Sequence, residues 1–156
     1  MSVTAHAGRS SMRYLYRSSA DIERLNDRRI CVRLCKGAYL EPPEVAFQAK
    51  RDVDRKYLDL DRVLLGHGNY PAIATRDEAI IRDIIAYCLR NAISADRFEF
   101  QMLYGIRRDL QRKLVTDGYR LRLYIPYGEA WYPYFMRRLA ERPANLVFLA
   151  KNLFRE

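Results

Sequence analysis

The sequence predicts an α/β fold built on parallel strands, and three observations predict it. Short β-rich runs recur five times, each is followed by a stretch with helical spacing, and 156 residues, 49% of them apolar, suffice for one domain with a buried core. Consecutive strands that lie parallel need a crossover between them, and the repeated alternation supplies one each time. Two architectures share this pattern: an open doubly wound sheet, and all or part of a (βα)8 barrel. In both, the chemistry collects beyond the C-terminal ends of the strands.

The first strand is read in "MRYLY", 12 to 16, after an irregular N-terminus over 1 to 11, with a helix behind it over 19 to 27. The second strand is "ICVRLC", 30 to 35, and it ends in "KGAY", Lys36 to Tyr39. Arg33 lies inside this otherwise apolar strand, and a cation placed there costs desolvation unless an anion or strong acceptor meets it. An acid on a neighbouring strand would do, and so would a bound ligand. Gly37 admits close approach to the backbone, and Lys36 can serve a phosphate as a point charge.

A long helical stretch over 43 to 65 leads to the third strand, "PAIAT", 71 to 75. At its end Thr75 offers a hydroxyl and Arg76 a cation, and Asp77 is placed to cap the helix over 77 to 91. The fourth strand, "RFEFQM", 97 to 102, alternates Phe98, Phe100 and Met102 with Glu99 and Gln101, so one face is apolar and the other polar. Glu99 is more easily explained as a partner for one of the arginines of such a barrel. After a helix over 106 to 117, the fifth strand, "LRLYI", 121 to 125, ends with Tyr124, and Pro126 and Gly128 turn the chain toward a helix over 131 to 140 and a further helical run from 144.

In that helix Tyr134, Arg137, Arg138 and Glu141 stand at i, i+3, i+4 and i+7, one face of a helix. The face can be a solvated ion-pair stripe, in which Glu141 reaches both arginines and contributes about 0 to 1 kcal/mol per pair. It can also be a clamp, in which two guanidinium groups present planar donors to one carboxylate and Glu141 fixes their orientation.

The remaining features exclude more than they assign. The net charge of +9 (28 Lys and Arg against 19 Asp and Glu) comes from residues spread along the chain, and no nucleic-acid recognition motif accompanies them. Cys31 and Cys35, four residues apart on a strand, stand about 13 Å from one another, too far to share an ion, and no metal site is expected. No run approaches a membrane span and the N-terminus has no apolar signal core, so a cytoplasmic location is expected.

"RLCKGAYLEPPEVAF", "PAIATRDE", "FEFQMLYGIRRDLQ" and "LRLYIPYGEAWYPYFMRRLAERPAN", in this order and at these spacings, resemble the proline dehydrogenase family in its monofunctional bacterial form, from about residue 12 to the end. The resemblance implies a (βα)8 barrel, of which this chain would be the C-terminal portion over 1 to 156, strands four to eight with their helices and without the N-terminal half. A complete barrel takes roughly 250 residues. It implies non-covalent FAD, L-proline as substrate, 1-pyrroline-5-carboxylate as product, and a quinone or similar electron acceptor, with peripheral contact at the inner face of the plasma membrane. Carried over by motif, Arg33 would stand near the flavin N5 and stabilise charge on the reduced ring. Lys36, Gly37, Ala38, Thr75 and Arg76 would contact FAD. Tyr39 would close over the substrate, Tyr124 and Tyr134 would pack beside it, and Arg137 and Arg138 would clamp the proline carboxylate with Glu141 as their brace.

Two positions depart from the family pattern: Arg76 stands where a histidine is usual, and Met12 where a glutamine is usual. Three readings therefore compete. The first is an FAD-dependent proline dehydrogenase, either completed by a separately encoded N-terminal half or retaining weak activity. The second is a truncated, non-catalytic remnant that pairs with a full-length relative through its strand edges. The third is a basic α/β module for nucleotide or nucleic acid, which the motif set disfavours.

Overall fold

Strand and helix alternate along a computed structural model of the chain, which describes the backbone of residues 9–12 and residues 15–35, 41–125 and 128. The chain divides into two compact units, Met1–Tyr124 and Ile125–Glu156, and the elements that follow belong to the first. They are β1 (Arg9–Met12), α1 (Ser18–Asp27), β2 (Val32–Cys35), α2 (Lys50–His67), β3 (Ala72–Ala74), α3 (Glu78–Arg90), a 3-10 turn at Ala95–Arg97, β4 (Glu99–Leu103), α4 (Arg108–Thr116) and β5 (Leu121–Tyr124).

The strands form one sheet in chain order, β1-β2-β3-β4-β5, and every pair is parallel. Strict alternation in the sequence gives the sheet two unlike faces. Leu34, Ile73, Phe100 and Met102 belong to a single buried cluster with Tyr57, Leu60 and Leu64 of α2, Ile80 and Ile84 of α3, and Leu110 and Leu114 of α4. Arg33, Cys35, Ala72, Ala74, Glu99, Gln101 and Arg122 alternate with those residues and form the opposite, polar face.

Two expectations from the sequence shift. The first strand is Arg9–Met12 rather than 12 to 16, so residues 9 to 11 join the sheet, and Leu15 makes only an isolated antiparallel bridge to Ala46. The helix expected from 43 begins at Lys50. Pro42 and Pro43 bias the chain away from helix, and residues 43 to 47 instead lean on the turn before α1. Tyr16 donates its N–H to the Val45 carbonyl (3.1 Å) and its hydroxyl to the Pro43 carbonyl (3.0 Å), and its ring meets Phe47 edge to face at 4.7 Å.

Three of the helices end in the same way. The N–H groups of Ile30, Ile93 and Tyr119 each donate to the carbonyl five residues back, on Leu25, Cys88 and Leu114, and the residue just before each donor is left-handed: Arg29 (φ 53), Ala92 (φ 51) and Gly118 (φ 86). This is the Schellman stop. Helix α2 ends differently. Gly68 keeps negative φ and donates to the Leu64 carbonyl at 2.7 Å, an approach so close that a Cβ at position 68 would stand 2.4 Å from that oxygen.

Candidate functional site

The polar face carries a continuous hydrogen-bonded chain across three strands. Arg33 on β2 donates from Nε to Gln101 Oε1 on β4 (2.6 Å). Gln101 Nε2 donates in turn to Glu99 Oε1 (2.6 Å), and Arg122 on β5 holds Glu99 through Nε to Oε1 (2.7 Å) and Nη2 to Oε2 (2.9 Å). Arg33 also donates from Nη1 to Cys35 Sγ (2.7 Å). Register makes the span possible. Ala72 and Ala74 occupy the β3 positions between Arg33 and the β4 pair, and their methyl groups leave room for the arginine to pass over. A hollow of about 130 Å³ opens beside Ala72, walled by Arg33, Glu99, Gln101 and Arg122 and, toward the N-terminal ends of the strands, by Cys31 and Tyr70.

The electrostatics of this chain are uneven. Glu99 is almost wholly buried, with its side chain 7% exposed, and a carboxylate so placed requires a cation, which Arg122 supplies. The hydrogen bonds to Glu99 raise the Arg122 pKa above its ordinary value, against a smaller opposing effect of burial. Arg33 meets only a neutral amide oxygen and a sulfur, and no carboxylate among the described residues lies within ion-pair distance of it. Among the described residues its charge is therefore cancelled by no carboxylate.

The sequence reading expected an arginine partner for Glu99, and Arg122 is that partner. Arg33 is not: it reaches the carboxylate only through Gln101. Arg122 was missed as a site residue, although a signal existed, since "VRLC" and "LRLY" each set one arginine between apolar strand residues.

The other expected residues divide by position. Thr75 is buried just beyond β3, and its hydroxyl oxygen accepts from the Asp77 N–H (3.1 Å). Asp77 caps α3 by accepting from the Ala79 N–H (3.2 Å). Arg76 is exposed in the same turn. Tyr124, half exposed, closes β5 in register with Leu103, and its carbonyl accepts from the Tyr104 N–H (2.9 Å). The backbone of Met12 stands in register with Cys35. Thus Thr75, Arg76 and Tyr124 gather at the C-terminal ends of the strands. Arg33 sits one step lower, and its side chain leads toward them. Lys36, Gly37, Ala38, Tyr39, Tyr134, Arg137, Arg138 and Glu141 lie outside the described residues.

Beyond the C-terminal ends of β3 and β4, Arg107 ties two loops together. Its guanidinium donates to Glu78 in the first turn of α3 (2.9 Å) and to Asp109 in the first turn of α4 (3.0 Å). These hydrogen bonds raise the Arg107 pKa and hold the Asp109 carboxyl below the usual carboxylate range.

Known proteins resemble this chain in sequence and in fold. The family model described as proline dehydrogenase matches residues 8–151. The chain is 50% identical over 150 residues to the proline dehydrogenase of Deinococcus radiodurans, covering 96% of this chain and 48% of that protein. It is 47% identical over 143 residues to proline dehydrogenase 1 of Bacillus subtilis strain 168, covering 92% and 47%. The chain therefore spans about half the length of these relatives. Among solved structures, proline utilization A (PutA) from Bdellovibrio bacteriovorus, inactivated by N-propargylglycine, superposes with a TM-score of 0.78 at 29% identity, over 85% of this chain and 16% of that one. The PutA of Corynebacterium freiburgense shares the fold, with a TM-score of 0.72 at 21% identity over 89% and 17%. With its match running through nearly all of both strands and helices, the chain belongs to the proline dehydrogenase family.

Proposed function

We propose that this chain forms part of an FAD-dependent enzyme that oxidises L-proline to 1-pyrroline-5-carboxylate and passes the electrons to a quinone or similar acceptor. The observation that carries the reading is the Arg33 guanidinium, inside the polar face of a family sheet, hydrogen-bonded to an amide oxygen and a sulfur and to no carboxylate among the described residues. Such a donor set fits a flavin, whose ring gains negative charge on reduction. The chemistry that the cofactor supplies when bound is acceptance of a hydride from the proline ring.

The chain's own residues do the rest. Arg33 places a fixed positive charge beside the ring, where charge that develops on reduction is stabilised without reorganisation. Tyr124, at the end of β5, borders the substrate. Arg137 and Arg138 clamp the proline carboxylate with Glu141 as brace, and Lys36, Gly37, Ala38, Tyr39, Thr75, Arg76 and Tyr134 complete the contacts. These assignments rest on the motifs.

The architecture we propose is the strand-four-to-eight part of a (βα)8 barrel. Strands in chain order and helices packed on one face support it, because a doubly wound sheet reverses its strand order and covers both faces. In this reading further strands, from a missing N-terminal half or a full-length relative, close over the polar face. The site of action is the cytoplasm, with peripheral membrane contact through the quinone.

A second reading, a non-catalytic remnant, is favoured by Arg76 and Met12, which replace the usual histidine and glutamine. One experiment separates the two. The purified protein is titrated with FAD and then given L-proline without oxygen. An oxidised flavin spectrum that bleaches with proline is the expected result. Uptake of flavin without bleaching, or no uptake, supports the remnant.

A further inference from the structure

We infer that Gln101 is the positioning residue for Arg33, and that it orients the guanidinium without neutralising it. This rests on the flavin-facing role proposed above for Arg33.

Geometry requires an intermediary. Arg33 and Glu99 stand on β2 and β4, two strands apart, roughly 9 to 10 Å in the plane of the sheet. Gln101 fills the gap by reaching from β4 toward Arg33, over the two alanines of β3. Its amide can face only one way. Oε1 accepts from the arginine while Nε2 donates to a carboxylate, and the flipped amide would set donor against donor at one end and acceptor against acceptor at the other. Glu99 is itself held through both oxygens by Arg122. Each member of the chain thus fixes the next.

Charge matters too. Gln101 is uncharged and Glu99 is held through both oxygens by Arg122, so among the described residues no carboxylate bonds to Arg33 directly. A glutamate at position 101 would hold the guanidinium as firmly. Facing the Glu99 carboxylate across the 2.6 Å that now separates Glu99 from the Gln101 nitrogen, it would share a proton with that group, and it would cancel the arginine charge only where position 99 is itself uncharged. Direction matters as well. Arg33 shares a register row with Ala72 and Glu99, but the two groups it touches, Gln101 and Cys35, belong to the next row toward the C-terminal ends. The charge is therefore carried toward Thr75 and Tyr124.

Two measurements test this. In the flavin-free full chain, the Nε–H proton of Arg33, followed by NMR, should exchange slowly with solvent. That protection should be lost in Gln101→Leu and reduced in Glu99→Gln, while the near-isosteric Gln101→Glu retains it. Unchanged protection in Gln101→Leu overturns the positioning role. In the flavin-loaded protein, the double variant Glu99→Gln, Gln101→Glu, which leaves one carboxylate and sets it against Arg33, should lower the midpoint potential of the flavin, and a potential equal to that of the parent protein overturns the claim about charge. Failure to take up flavin overturns the proposed function instead, and the exchange measurement still decides how Arg33 is held.

Discussion

Single residues set the ends of the helices, and there the sequence was readable wherever the chemistry lies in a side chain. Asp77 was identifiable as a cap because a carboxylate just before an apolar helical run can accept from a free N–H, and it does so from Ala79. Asp77→Ala should destabilise the protein by about 1 kcal/mol in urea unfolding. The left-handed stop at Ala92 could not be read, because alanine does not advertise positive φ; of the three Schellman ends only Gly118 does. Ala92→Gly should raise stability by up to about 1 kcal/mol through relief of that strain, and an unchanged or lower denaturation midpoint would contradict the assignment. Cys88 illustrates burial. Packing in the core, with Asp61 nearby as a lesser cause, pushes its thiol up to about 11. It should resist iodoacetamide in the native protein while the partly exposed Cys31 and Cys35 react, a contrast that mass spectrometry reads directly.

Individual strands and helices were legible through their periodicity, and their boundaries slipped where a tertiary contact decided. The five strands and the helices after the first four are present, the expected helix over 131 to 140 lying outside the described residues, and the polar and apolar faces of β4 follow the alternation of "FEFQM". The start of α2 was misplaced because Val45, Ala46 and Phe47 have helical spacing, yet they are recruited by Leu15 and Tyr16. No local pattern records a partner so far away along the chain. The same limit hid the route from Arg33 to Glu99, which depends on the size of the β3 side chains between them. Ala72 is buried beneath that route. Ala72→Leu should cost roughly 1 to 3 kcal/mol by overpacking and should also abolish the slow exchange of the Arg33 Nε–H. Normal stability with the exchange intact would show that the alanine is not what makes room.

Across the unit as a whole, the strands are unequally protected. β3 is flanked on both sides and backed by Ile80 and Ile84, whereas β5 pairs only with β4 among the described residues and has exposed side chains at Leu123 and Tyr124. Amide deuterium uptake should accordingly be slowest in β3 and β4 and faster in β5; equal rates would mean that β5 is covered. Acid should loosen the loops beyond the C-terminal ends first. The Asp109 carboxyl is held below its unfolded value by Arg107, so its contribution is complete above about pH 4 and is lost as pH falls through the lower folded value. Asp109→Asn should therefore flatten the acid limb of a stability-against-pH curve measured by urea unfolding. The parallel α/β class could be read at this scale, since alternation of strand and helix admits few alternatives. Sheet order could not, because both candidate architectures produce the same alternation.

That order has a consequence for how the protein is made. Each strand lies beside the one synthesised immediately before it, with only its own crossover helix between them. The loop closed at each step is consequently short, and its entropic cost stays modest. The unit can be laid down during translation one strand at a time, every newcomer finding its template already standing, and at no stage must the emerging chain thread between strands that have already paired.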